Sequence, residues 1–237
     1  FCIDAKETIL NFRSERCGEQ PVADQSLKFD LPKQTNAYAV VLGRIDLPGI
    51  LAGRHGKVVT VSSPWTIPNP LDGKVYLATG DLRIDTAQMV MNGAGTVTGV
   101  GTVVVLGGDL YINKNVTYDG NAVTTLKQLA SIGWLVLPDA NGVGGNVFID
   151  GDVQKVVGAF FAGGESIHTV APPRTDSDVP LVVEGLMVGK HIYLNRSFKD
   201  VGQGSEKVIY DGRSVANPPP GFGDVAKSLP SLFVGGR

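Results

Sequence analysis

Between residues 75 and 195 the chain repeats one form five times: an apolar strand, a glycine corner, a polar residue, then apolar-x-apolar and a closing Asp, Asn or Thr. Val75-Tyr76-Leu77-Ala78-Thr79-Gly80 leads to Asp81-Leu82-Arg83-Ile84-Asp85. Val103-Val104-Val105-Leu106-Gly107-Gly108 leads to Asp109-Leu110-Tyr111-Ile112-Asn113. Trp134-Leu135-Val136-Leu137 passes through an inserted loop and Gly144-Gly145 to Asn146-Val147-Phe148-Ile149-Asp150. Phe160-Phe161-Ala162-Gly163-Gly164 leads to Glu165-Ser166-Ile167-His168-Thr169, and Leu186-Met187-Val188-Gly189 to Lys190-His191-Ile192-Tyr193-Leu194-Asn195. The spacing is irregular, roughly 27 residues on average, inside the window of solenoid repeats. One such unit buries a single row of side chains and cannot form a core alone. Stacked units share a continuous core and pair each strand with its copies above and below. Glycine suits the corner because a sharp bend there favours positive φ.

Alternation along the second strand of each unit sends Leu82 and Ile84, Leu110 and Ile112, Val147 and Ile149, and Ile192 and Leu194 inward. Arg83, Tyr111, Phe148 and Tyr193 then face out, with His168 or Ser166 in the remaining rung. The first expectation for this face is burial under residues 21–72 or the C-terminal tail. Otherwise it is open to a partner subunit or to a glycan. The first strands are apolar without alternation, as in strands buried on both faces. Their outer face therefore needs a cover, from this chain or from another subunit.

The repeat form resembles right-handed parallel β-helix proteins. Among non-enzymatic relatives it resembles bacterial cell-surface and polymer-forming solenoids of the bactofilin kind. The resemblance spans residues 73–213 and implies an all-β chain folded as a right-handed parallel β-helix. Three regions follow: an N-terminal cap region (1–72), the solenoid (73–213) and an extended tail (214–237).

In the cap region Asp4 and Glu7 form a capping box for a short helix. Val58-Val59-Thr60-Val61 reads as a strand, and Pro48-Gly49 as a turn. Cys2 and Cys17 are the only cysteines, and a disulfide between them would contribute about 3 kcal/mol. That pair, with Phe1 at the first position, is the pattern expected of an exported chain whose signal has been removed, hence an extracellular or cell-surface protein. In the tail, Pro218-Pro219-Pro220 cannot join a sheet, and Leu229, Leu232 and Phe233 are expected to dock on the protein or on a neighbour.

With 21 basic and 23 acidic side chains and no cluster of Lys or Arg, the chain does not read as a nucleic-acid binder. No apolar run approaches the roughly 18 residues of a membrane span. Asp139, Asn141 and Asp150 sit at the first, third and twelfth positions of a loop that partly resembles an EF-hand, although Val143 occupies a ligand position. No cofactor motif is present. His55, His168 and His191 lack metal-ligand spacing, and corner Asp and Asn residues are expected to bond their own turns. The expectation is a non-enzymatic structural protein that associates with copies of itself, with a filament joined head to tail as one form of that assembly. Two alternatives are a carbohydrate-binding or adhesive module using the aromatic face, and a polysaccharide lyase or hydrolase.

Overall fold

A rung of two or three short strands survives only when other rungs stack on it, and the backbone follows that rule. The computed structural model describes residues 43, 45–197 and 205–223. The chain divides into two units, Phe1–Ala37 and Tyr38–Arg237, and all described residues belong to the second. Cys2, Cys17, the helix expected near the N-terminus, Leu229, Leu232 and Phe233 lie outside the described residues.

In chain order the elements begin with helix α1 (Leu47–Leu51), then strands β1 (Val58–Thr60), β2 (Lys74–Thr79), β3 (Leu82–Ile84) and β4 (Gln88–Val90). Next come β5 (Val100–Leu106), β6 (Leu110–Ile112), β7 (Val116–Tyr118), β8 (Ser131–Leu137) and β9 (Val147–Ile149). The remainder are β10 (Lys155–Ala162), β11 (Ser166–His168), β12 (Leu181–Val188), β13 (His191–Tyr193), β14 (Glu206–Ile209) and helix α2 (Arg213–Ala216). Strands β1-β2-β5-β8-β10-β12-β14 form a large sheet, β3-β6-β9-β11-β13 a second, and β4-β7 a short third. Every pairing between these strands is parallel. The chain is a parallel β-solenoid of five turns, each matching one repeat in the sequence. The sheet also takes in β1, within the region assigned to the cap, and β14. The tail is not wholly extended, since α2 occupies its start.

The register aligns identical roles. Tyr76, Val103, Trp134, Phe160 and Met187 are successive partners in the large sheet and face the core. Trp134 and Phe160 stack with ring centres 5.8 Å apart. Leu82, Leu110, Val147, Ile167 and Ile192 form the facing column. Midway along β10, Gly158 has a φ of +120° and pairs with Gly185 of β12, φ +149°. A Cβ on Gly185 would stand 1.9 Å from the Gly158 carbonyl oxygen, so these rungs approach too closely there for any side chain. The irregularity lets consecutive Val156 and Val157 both reach the core, and the Val157 carbonyl accepts from the buried Trp134 indole at 3.0 Å.

The outer face of the large sheet is a second apolar layer of Val75, Val104, Leu135, Ala159 and Phe161, covered in part by Ile50 and Phe222. Asp46 accepts from Gly49 N at 3.0 Å and caps α1, with proline in its first turn, so Pro48-Gly49 starts a helix instead of a turn. After α2 the chain returns across the sheet, where Thr102 Oγ1 donates to the Pro220 carbonyl at 2.6 Å. Phe222 then lies over Gly133, whose missing Cβ makes the room: one built there would be 2.7 Å from the ring. The tail segment thus serves as the cover that the non-alternating strands required. Phe222→Ala should lower stability by about 3 kcal/mol. It should reduce the midpoint of a urea titration without changing its slope.

Candidate functional site

The outward residues of the second sheet form one continuous stack. Arg83, Tyr111, Phe148, His168 and Tyr193 are successive partners. The Arg83 guanidinium lies 4.2 Å from the Tyr111 ring centre. The following ring pairs are 5.2, 5.0 and 4.5 Å apart and within 26° of parallel. His168, and not Ser166, fills the fourth rung; Ser166 is buried and exchanges a 2.8 Å hydrogen bond with His168 Nε2. Among the described residues, none of residues 45–72 or 205–223 covers the inner part of this face. Tyr111, Phe148 and His168 are half-buried by one another, while Arg83 and Tyr193 are exposed. Burial pushes the Tyr111 phenol up and the His168 imidazole down from their ordinary values.

A polar column runs along the corner between the two main sheets. Asp81 Oδ1 accepts from Asp109 N at 3.0 Å, and Asp109 Oδ1 from Asn146 N at 2.9 Å. Asn146 Oδ1 in turn accepts from Glu165 N and Ser166 N. Asp81, Asp109 and Asn146 thus take a backbone N–H of the next rung, whereas Asp150 bonds its own turn as expected, accepting from Asp152 N at 2.9 Å. Where the chain leaves a sheet, this is how its amides stay paired.

The last turn differs from the others. Inward-facing Leu82, Ile84, Leu110, Ile112, Val147 and Ile149 are fully buried, whereas Ile192 is 42% exposed and Leu194 55%. The pattern aims them inward, but among the described residues no further strand lies above them. Strand β14 pairs with Leu181–Glu184, so among the described residues the second half of β12 has no upper neighbour either. Among the described residues, no strand pairs with the outer edge of β13. Of the eleven large apolar side chains exposed in the described residues, six lie between Ile192 and Tyr210.

Beneath this open edge sits Arg196, which is buried. Its Nε donates to the Thr169 carbonyl at 2.9 Å, Nη1 to Val153 (2.6 Å) and Val179 (3.0 Å), and Nη2 to Asp150 (2.9 Å). Burial brings its pKa down to about 10. The guanidinium gathers carbonyls from the two turns that precede its own and closes the core with a polar plug. Sequence reasoning missed it, although the alternation that puts Ile192 and Leu194 inward continues to Arg196.

The calcium candidate does not assemble. Asp139 Oδ1 accepts from Asn141 N and Val143 N, and Asp150 Oδ1 from Asp152 N. Among the described residues no three His, Cys, Asp or Glu side chains converge as a metal site needs. A shallow groove of about 560 Å³ beside Phe148 is lined by Gly144, Asn146, Glu165, Ser166 and Lys190. Among the described residues no helix is long and apolar enough to cross a membrane. Comparison with protein-family models, with characterised proteins and with solved structures found no match.

Two outcomes are expected. Arg196→Lys puts its donors on one atom, which cannot reach all four carbonyls, and should cost about 3 kcal/mol in denaturant unfolding. The lowered pKa of His168 means the unfolded chain binds its proton more readily than the folded one. Its contribution is therefore complete above the unfolded value, near 6.5, and is lost as pH falls through the folded value. Below about pH 7 the thermal midpoint of the unaltered protein should fall more steeply than that of His168→Phe.

Proposed function

We propose that this chain is a non-enzymatic structural protein, at the cell surface or outside the cell, that associates with other protein through the open last rung of its solenoid. The supporting observation is the exposure of Ile192, Tyr193 and Leu194 on a strand whose outer edge has no partner among the described residues. An unpaired edge carrying apolar side chains is a ready template for pairing. Fully burying one such side chain contributes about 1.5–3 kcal/mol. The resemblance of the repeat form to polymer-forming solenoids and the closeness of Cys2 to Cys17 in the sequence speak for a structural and exported role.

The two alternatives have less support. Aromatic platforms hold sugars by their open faces, but here each inner ring already stacks on two neighbours; among the described residues only Tyr193 has a single stacked neighbour, with the His191 ring of its own strand tilted beside it at 6.1 Å. Glycosidic cleavage by two carboxylates needs both free to face the substrate, and Asp81 and Asp109 instead hold the amides of the next turn.

Light scattering across a concentration series tests the proposal. The mass should rise above the 25.0 kDa of one chain. Ile192→Lys should hold it at one chain while leaving the urea midpoint nearly unchanged. A mass of one chain at every concentration would sink the proposal.

A further inference from the structure

We infer that the partner at the open rung is a second copy of this chain, joined tail to tail about a two-fold axis through Ile192. This rests on the association proposed above and names its partner. The axis runs across the rung, so that β13 of one copy lies antiparallel to β13 of the other.

The first support is the state of the opposite end. There β3 is the edge of the second sheet, and its outer side is already closed by this chain. Ser63 Oγ accepts from Arg83 N at 3.1 Å, and Trp65 N donates to the Arg83 carbonyl at 2.9 Å. Trp65 and Ile67 turn into the core beneath them. A second copy arriving with its β13 would find no free edge at β3. Head-to-tail stacking of this sheet is thus blocked by the chain's own residues, and the filament expected from the sequence loses one of its two joints.

The second support is the strand itself, since His191-Ile192-Tyr193 is self-complementary when reversed. Antiparallel pairing about Ile192 sets Ile192 against its own copy and His191 against Tyr193. The chain already makes that aromatic pair: His168 stacks on Tyr193 with ring centres 4.5 Å apart, 18° from parallel. In the dimer the open face of Tyr193 receives the partner's imidazole and the stack continues across the axis. Apolar Ile192 meets apolar Ile192 in line with the core column of Leu82, Leu110, Val147 and Ile167.

Charge agrees with this pairing. Residues 191–194 carry no carboxylate and no Lys or Arg, so no like charges face each other along the strand. Lys190 falls opposite Leu194, where its aliphatic stem has an apolar neighbour. On the other side of the rung, exposed Val208 and Ile209 of β14 extend the apolar surface. A two-fold contact uses the same patch on both copies and closes on itself. The product is a dimer of solenoids, with its N-terminal ends outward.

Three chains are compared: unaltered, Ile192→Cys and Ser62→Glu, the last at an exposed position of the closed end. Light scattering of the unaltered chain should level off at twice the mass of one chain, and Ser62→Glu should behave identically. Mild oxidation of Ile192→Cys should give a covalent dimer well above any formed by the unaltered chain, which carries Cys2 and Cys17 as the control. Should Ile192→Cys fold poorly, amide exchange in the unaltered chain decides: residues 192–194 should slow as concentration rises. Species that grow beyond two copies and are abolished by Ser62→Glu would overturn the two-fold pairing while leaving association through the open rung standing. A dimer without the Ile192 crosslink and without slowed exchange at 192–194 would also overturn it. One-chain mass throughout would overturn both this inference and the function it rests on.

Discussion

A three-residue strand has too few hydrogen bonds and too little apolar area to persist alone. Here such strands persist because parallel, in-register stacking gives each one a neighbour of its own kind, and β6, β9 and β11 two. The register is what the rest of the structure depends on. It sets like against like, so that the core column of the second sheet is aliphatic from Leu82 to Ile192 and the outer column is aromatic from Tyr111 to Tyr193. Where the chain leaves a sheet, the same register carries Asp81, Asp109 and Asn146 to the amides of the following turn. Insertions between turns are tolerated because they fall outside this stacking, as the loop from Pro138 to Val143 does before Gly145 rejoins the corners of the neighbouring turns.

A structure held by stacking has two places where the rule fails, its ends, and this chain treats them differently. At the N-terminal end the segment from Ser63 to Leu71 takes the place of a turn: it bonds to β3 and sinks Trp65, Ile67 and Leu71 into the core. At the C-terminal end only the interior is closed. Arg196 binds four carbonyls there, an arrangement that suits a guanidinium because its donors fan outward from one plane. Nothing comparable among the described residues covers β13. Among the described residues the core is thus sealed from below while the outer edge of β13 has no partner strand.

The repeats were legible because they state the fold five times over. Each Gly corner and apolar-x-apolar strand is short and weak, yet the five agree, and the structure has a turn for every one. The ladder from Arg83 to Tyr193 was legible for the same reason, since alternation fixes a side chain's direction wherever a strand is certain. Features made by contact between distant segments were not. Phe222 over Gly133 joins residues far apart in the chain, and neither residue announces the other. Helix α1 was hidden because Pro48-Gly49 looks like a turn until Asp46 is seen to cap it. The third sheet of β4 and β7 exists in two turns only, too few to read as a repeat.

Exposure of the ladder could not be read from the pattern, because alternation gives direction and not cover. The expectation of a buried face looked to residues 21–72 or the tail for its cover. Among the described residues the shielding comes from the stack itself, each inner ring lying between the groups above and below it. That arrangement works for every member except the last. Tyr193 has His168 beneath it and nothing among the described residues above, so the incomplete shielding of the ladder, the exposed Ile192 and the unpaired edge of β13 all occur on one strand. Three independent deficits on three consecutive residues share one remedy, another strand laid on top. Whatever supplies it completes the stacking order of the solenoid.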